Sequence, residues 1–374
     1  MATSWTQLND KLLRLAHERH IPLVGQFELT SRCNLRCGMC YVCNTTNDKK
    51  VMEKEFSADK WLSLAREARD AGMLHLMLTG GEILMHPQFR EIYEGVTEMG
   101  LRITLNTNAT MITEEIAEFI GSRPPSRVSV TIYGASYETY KNICGSGEAF
   151  EKALKGIDLL LENKVPVAMR TTVVKGNKDE FDQLAEFARS RGVEFGVVNY
   201  VVPRREGCGT DPVSLRLTPS ELAEYEEYVF IEYNRRLSSE RGEKSTESII
   251  NPDDKIEKVS QDEGAFQCEA GKTAFWITWD GRMLPCGLID CPVVYPFESG
   301  FPAAWREMKR MCADIPVCSK CSNCDDKKYC MSCPARLKAE TGFFDKPGDY
   351  LCNLAKQRKL LDSKRESLNT FIDI

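Results

Sequence analysis

Between residues 24 and 198 the sequence alternates six short strand-like runs with longer helix-like ones, and nothing else in the chain constrains its fold as strongly. Strand patterns fall at 24–29, 74–78, 102–106, 127–132, 165–174 and 193–198. Helical periodicity fills 58–71, 86–99, 113–120, 150–162 and 178–191. Strands separated by helical patterns of about 10–15 residues indicate βαβ units and a parallel sheet. The fold class is therefore α/β, a partial (βα)6 barrel with its reactive loops at the C-terminal ends of the strands. Two loops leave a strand directly and so share that face: TSRCNLRCGMC after the first, and Thr79-Gly80-Gly81-Glu82 after the second.

The rest of the 374-residue chain divides around that core. Residues 1–20 read as an amphipathic N-terminal helix, 21–215 as the partial barrel, and 216–264 as a charged helical segment running into a polar linker or insertion. Residues 265–352 form a cysteine-rich domain with short strands at 275–278 and 283–284 and little helix of its own, and 353–374 a charged helix. With few aliphatic residues, the cysteine-rich domain is expected to depend on bound metal for its cohesion. The net charge of −6 argues against a nucleic-acid partner. No apolar run approaches the roughly 18 residues a membrane span needs. Asp10, Lys11 and Glu18 rule the N-terminal segment out as a signal peptide. A cytoplasmic location follows, and in that reducing compartment 16 cysteines point to metal sites before disulfides.

Ten of those cysteines form two spaced sets. The first, Cys33-x3-Cys37-x2-Cys40, supplies three thiolates within eight residues. Thiolates select zinc or iron–sulfur clusters. Zinc sites ordinarily use paired cysteines on each arm. A triple grip instead suits a four-iron cluster with one iron left open to a small molecule, although Cys43 stands close enough to be a fourth ligand. The second set is Cys321-x2-Cys324-x5-Cys330-x2-Cys333, with Cys268 and Cys286 ahead and Cys352 behind. Its close pairs serve a zinc ribbon or iron–sulfur clusters equally. Cys43, Cys144 and Cys208 are otherwise read as buried apolar thiols, and His75 and His86 as packing or capping residues.

The cysteine triad on a first strand's exit loop, coupled to Gly80-Gly81-Glu82 after the second, resembles the radical S-adenosylmethionine superfamily. The resemblance implies a [4Fe-4S] cluster whose open iron chelates S-adenosylmethionine, reductive cleavage to a 5′-deoxyadenosyl radical, and hydrogen abstraction from a substrate. It places Met39 at adenine, and Gly80, Gly81 and Glu82 at the amino group. Asn106, Asn108 and Thr131 fall at strand ends where ribose or methionine is contacted, and Arg170 at the methionine carboxylate. The C-terminal pattern, with Gly281-x4-Cys286 inside it, resembles the SPASM extension that holds two auxiliary [4Fe-4S] clusters. Matched position by position, Cys321, Cys324, Cys330 and Cys352 would hold the distal one, and Cys268, Cys286 and Cys333 the proximal one. Cys291, Cys312, Cys318 or an open iron would complete the latter. Here two residues, not the family's three, separate Cys330 from Cys333.

SPASM proteins are mostly peptide or protein maturases. The leading expectation is modification of a ribosomally synthesised peptide by crosslinking, thioether formation, oxidation or epimerisation. A separate recognition protein, or the insertion at residues 203–264, would present the peptide, and a flavodoxin or ferredoxin would serve as reductant. A sugar or aminocyclitol dehydrogenase or epimerase is the alternative. Anaerobic sulfatase maturation falls behind both, because Gly287 occupies the position after Cys286 where that family carries a catalytic Asp. No catalytic side chain is singled out.

Overall fold

The computed structural model describes residues 5–42, 47–203, 205, 210–229 and 264–370. Cys43, Cys208 and the expected linker up to residue 263 lie outside the described residues. All six expected strands are present: β1 (Val24–Glu28), β2 (His75–Thr79), β3 (Arg102–Thr107), β4 (Arg127–Thr131), β5 (Val167–Thr172) and β6 (Glu194–Val198). They pair in parallel in chain order. Strand alternation sorts their side chains. Phe27, Leu76, Leu78, Ile103, Leu105, Val128 and Val130 are buried beneath the helices. Gln26, Met77, Asn106, Thr131 and Arg170 occupy the opposite, lumenal face.

The helices form because their apolar residues recur at helical spacing. In Phe89–Glu98 the buried positions are Phe89, Ile92, Tyr93 and Val96. In Ala58–Asp70 they include Trp61, whose ring centroid lies 5.1 Å from that of Phe27 on β1. The helix Tyr137–Cys144 has no counterpart in the sequence reading. It is short, capped by Ser136 accepting from Thr139 N, and stopped by Gly145 in the left-handed region at φ 75°.

The C-terminal region corrects one expectation. It contains the helix Phe301–Ala313, with Phe301, Ala304, Trp305, Met308 and Cys312 buried, and the helix Pro334–Thr341. Aromatic side chains replace the missing aliphatic ones: Phe275 packs on Phe301 and Trp305, with centroids 4.9 and 5.9 Å apart. The strand of that region, β7 (Ala274–Ile277), does not stand apart either. It pairs in parallel with β1, and β8 (Met283–Leu284) adds on antiparallel, so the sheet order is β6-β5-β4-β3-β2-β1-β7-β8. The register sets Trp276 opposite Gln26, which brings an indole onto the lumenal face. No helix among the described residues is long and apolar enough to cross a membrane.

Candidate active site and metal centres

The first cysteine loop is strapped to the loop after β2. Gly81 N donates to Thr30 O at 2.8 Å, and Glu82 N to Arg32 O at 2.9 Å. A Cβ at Gly80 would run into Thr30 O, and one at Gly81 into Arg32 O. Gly80 also sits at φ 149°, where a side chain is strained. The two glycines therefore admit the chain's own backbone as the cysteine loop passes over them. Arg32 is clamped in turn by Glu55 at 2.7 Å, both side chains being buried, and donates to Met85 O at 2.7 Å.

The Glu82 carboxylate is buried, with Oε1 accepting from Leu84 N and Thr107 Oγ1 and Oε2 from Asn108 N. Burial pushes its pKa up, against those three hydrogen bonds. Glu82 thus fixes the end of β3. Asn108 then reaches the cysteine loop through Nδ2, 2.9 Å from Asn34 Oδ1 and 3.7 Å from Cys33 Sγ.

Cys33, Cys37 and Cys40 lie at the C-terminal mouth of the sheet. Cys37 is bracketed by Arg36 N donating to Cys144 O and Gly38 N to Ile143 O, which places Cys144 beside it. The Cys37 thiol is pushed well up, first by the Cys144 side chain and then by burial; that of Cys33 is pushed up by burial and by Glu82. Thiolates are disfavoured at such sites unless a cation compensates them, as a metal cluster does. Met39, between Cys37 and Cys40 in the chain, is buried.

Deeper in the lumen, Asn106 Nδ2 lies 3.0 Å from Met77 Sδ. Thr131 sits opposite Arg170 across β4 and β5. Arg170 makes no hydrogen bond to a described residue, and its pKa is lowered by burial and by Arg127. His86 is a packing residue: Nε2 faces Phe56 O at 3.0 Å and Nδ1 accepts from Gln88 N. Burial lowers its pKa, and that of His75.

Cys268, Cys286 and Cys333 fall within one another's electrostatic reach. Burial pushes the Cys286 thiol up to about 12. Cys321, Cys324, Cys330 and Cys352 line a single cavity of about 200 Å³. Of the extra cysteines, Cys318 belongs to this second group, its Sγ 2.9 Å from that of Cys321. Cys312 packs on Met308 beneath Gly271, and Cys291 faces Asp290 and Lys338. A Cβ at Gly287 would stand 2.8 Å from the Trp276 ring, so the position that bears Asp in sulfatase maturases is closed here by an indole. Tyr41, next to Cys40, is within electrostatic reach of Cys286.

Residues 27–188 match the radical SAM superfamily. The chain belongs to the radical S-adenosylmethionine superfamily. Its affinity is with the SPASM-type members, and the family implies a [4Fe-4S] cluster and S-adenosylmethionine. The chain is 32% identical to the AdoMet-dependent heme synthase of Methanosarcina barkeri, over 88% of this chain and 94% of that one. It is 27% identical to the antilisterial bacteriocin subtilosin biosynthesis protein AlbA of Bacillus subtilis, over 73% of this chain and 56% of AlbA. Among solved structures, Streptococcus suis SuiB bound to its precursor peptide SuiA superposes with a TM-score of 0.68 at 19% identity, covering 94% of this chain and 82% of SuiB. The last likeness establishes the partial-barrel fold.

Proposed function

We propose that this radical SAM enzyme abstracts a hydrogen atom from a ribosomally synthesised peptide bound between its first cluster and two auxiliary clusters. The observation that supports the reading is that both cysteine sets are carried by one sheet: β1 runs into Cys33, and β7, paired in parallel with β1, turns through β8 into Cys286. When bound, the first cluster and S-adenosylmethionine supply a carbon-centred radical able to take hydrogen from an unactivated carbon. Cys33, Cys37 and Cys40 would hold three irons of that cluster, on a loop kept in place by Gly80, Gly81 and the Arg32–Glu55 pair. The unengaged Arg170 suits a carboxylate through its planar fork, with Asn106 and Thr131 beside it on the lumenal face and Met39 among the cluster ligands.

For the auxiliary sites, the donor sets are all thiolate. A zinc ion held at about 2.3 Å by four sulfurs fills its own site. Cys321, Cys324, Cys330 and Cys352 line one cavity, and four thiolates there suit a [4Fe-4S] cluster as the family pattern implies. Cys268, Cys286 and Cys333 would hold the proximal cluster, and a flavodoxin or ferredoxin would deliver the electron. The peptide substrate is supported by the relationship to AlbA. A tetrapyrrole substrate is the second reading, favoured by the near full-length match to a heme synthase.

Anaerobic reconstitution tests the framework: about 12 irons per chain are expected for three clusters, with 5′-deoxyadenosine released on adding S-adenosylmethionine and reductant. Tightly bound zinc without iron, or full clusters without 5′-deoxyadenosine, would sink it. Mass spectrometry of peptides encoded by neighbouring short reading frames, run beside an iron tetrapyrrole, then separates the substrates. Conversion of the tetrapyrrole alone would refute the peptide reading.

A further inference from the structure

Asn34, inside the first cysteine loop, and Asn108 and Thr110, just beyond β3, close a ring of hydrogen bonds beside Cys33. Asn108 Nδ2 donates to Asn34 Oδ1 at 2.9 Å, Asn34 Nδ2 to Thr110 Oγ1 at 2.7 Å, and Thr110 Oγ1 to Asn108 Oδ1 at 2.6 Å. The ring runs head to tail, and its sense is fixed by the backbone, because Thr110 N also donates to Asn108 Oδ1 at 2.9 Å. The reversed carboxamide would set one N–H against another there. Asn108 is anchored independently of its side chain. Its backbone N–H is held by Glu82 Oε2 at 2.8 Å, and the residue is 6% exposed.

A primary amide nitrogen carries two hydrogens, and its oxygen two lone pairs. The ring and Thr110 N together take both lone pairs of Asn108 and one of its hydrogens. The second hydrogen falls to Cys33 Sγ, 3.7 Å from Nδ2, a sulfur that also accepts from Leu35 N at 3.4 Å. Nothing of the carboxamide is then left over for a small molecule. A donor aimed at a ligand sulfur stabilises negative charge on a cluster, and such hydrogen bonds are one of the protein's means of raising its potential. We propose that Asn108 is a positioning residue for the first metal centre, its carboxamide donating to the Cys33 sulfur and not to S-adenosylmethionine. Asn34 and Thr110 hold it in that orientation. The inference rests on Cys33, Cys37 and Cys40 holding the first cluster. It reassigns Asn108, which the family resemblance sets among the S-adenosylmethionine contacts.

Asn108→Leu gives the test, because it removes the donor at similar size and leaves the backbone N–H on Glu82. The reconstituted full chain would be titrated potentiometrically without S-adenosylmethionine and followed by electron paramagnetic resonance. The first cluster is the signal that changes when S-adenosylmethionine is added afterwards. Asn108→Leu is expected to shift that cluster's reduction equilibrium about tenfold toward the oxidised form, about 59 mV for one electron. Its dissociation constant for S-adenosylmethionine should stay within about twofold of the wild type. Thr110→Val opens the ring but keeps its backbone N–H on Asn108 Oδ1, so its potential should match the wild type. An unchanged potential in Asn108→Leu, a roughly tenfold weaker hold on S-adenosylmethionine, or an equal shift in Thr110→Val would overturn the assignment. Should Asn108→Leu not load the first site, Asn108→Ser carries the same comparison, since its hydroxyl still accepts from Thr110 N but is too short to reach Cys33. If neither variant loads it, hydrogen exchange decides. A β3 as protected as in the wild type supports positioning of the ligand, and a loosened β3 overturns it, because the carboxamide would then be holding the strand. Absence of iron from the wild type would sink the cluster reading and this inference with it, whereas loaded iron with no shift sinks this inference alone.

Discussion

Gly81 has no side chain because the carbonyl of Arg32 occupies the space a Cβ would take, and that contact joins the glycine loop to the first cysteine loop. Both partners there are backbone, so neither can swing aside. Gly81→Ala should push the cysteine loop off its strap and cost about 4 of the roughly 12 irons expected per chain. Iron expected at the C-terminal cysteines should remain, because those cysteines share no element with that strap. Iron content with 5′-deoxyadenosine yield reads this directly, and an alanine variant with full iron and full turnover would refute the packing argument. Gly287 is a second case. Gly287→Asp restores the sulfatase-maturase residue in name, but its Cβ meets the Trp276 ring, whose Nε1 is committed to Glu28. The variant should therefore gain no formylglycine-forming activity on a sulfatase peptide and should lose activity on the native substrate; a gain would mean that Trp276 yields easily.

At the scale of elements, the helix Pro219–Glu227 shows local chemistry fixing a start. Thr218 and Glu221 form a reciprocal capping box, and Lys178 donates to Glu221 at 2.9 Å. Those hydrogen bonds hold the Glu221 pKa down at about 2. A depressed carboxylate contributes stability that is complete above its unfolded value of about 4.3 and is lost as pH falls toward 2. Hydrogen exchange in this helix, compared between wild type and Glu221→Gln at each pH, should differ most above pH of about 5 and converge only at or below about 2. A gap independent of pH would show that the charge is not what holds the cap. Much at this scale was legible beforehand. Six strands and their helices follow from period alone, since alternation and helical spacing are local properties. The partnering of β7 with β1 is not local, nor is the hydrogen bonding of the Glu28 carboxylate by Arg205 and Trp276, which are 177 and 248 residues from Glu28. No window of sequence contains such a set. Cys318 was likewise ambiguous until the fold set it against Cys321, because spacing gives candidates for a ligand set but not their grouping.

Across the whole molecule, the C-terminal region closes on both edges of the barrel sheet. On one side β7 pairs with β1. On the other, segments that follow β6 are tied to it by ion pairs: Arg216 with Glu340 at 2.5 Å and Arg358 with Glu226 at 2.6 Å. The Arg216–Glu340 pair is buried, and Tyr200 adds its hydroxyl to Glu340 at 2.5 Å. The region that carries the C-terminal cysteines is thereby held to the sheet from both sides. Breaking one partner of a buried pair leaves the other charge uncompensated, at about 3–5 kcal/mol. Glu340→Ala should therefore open the C-terminal region locally. Hydrogen exchange is expected to rise in residues 334–358 while β2 to β5 stay protected, because the central strands do not touch Glu340. The double variant Arg216→Ala, Glu340→Ala should be less destabilised than the sum of the single ones, since it leaves no orphaned charge on that pair. If Glu340→Ala instead loosened the central strands as much as the C-terminal helices, the two parts would unfold as one cooperative unit, and the second edge contact would not act as a separate clamp.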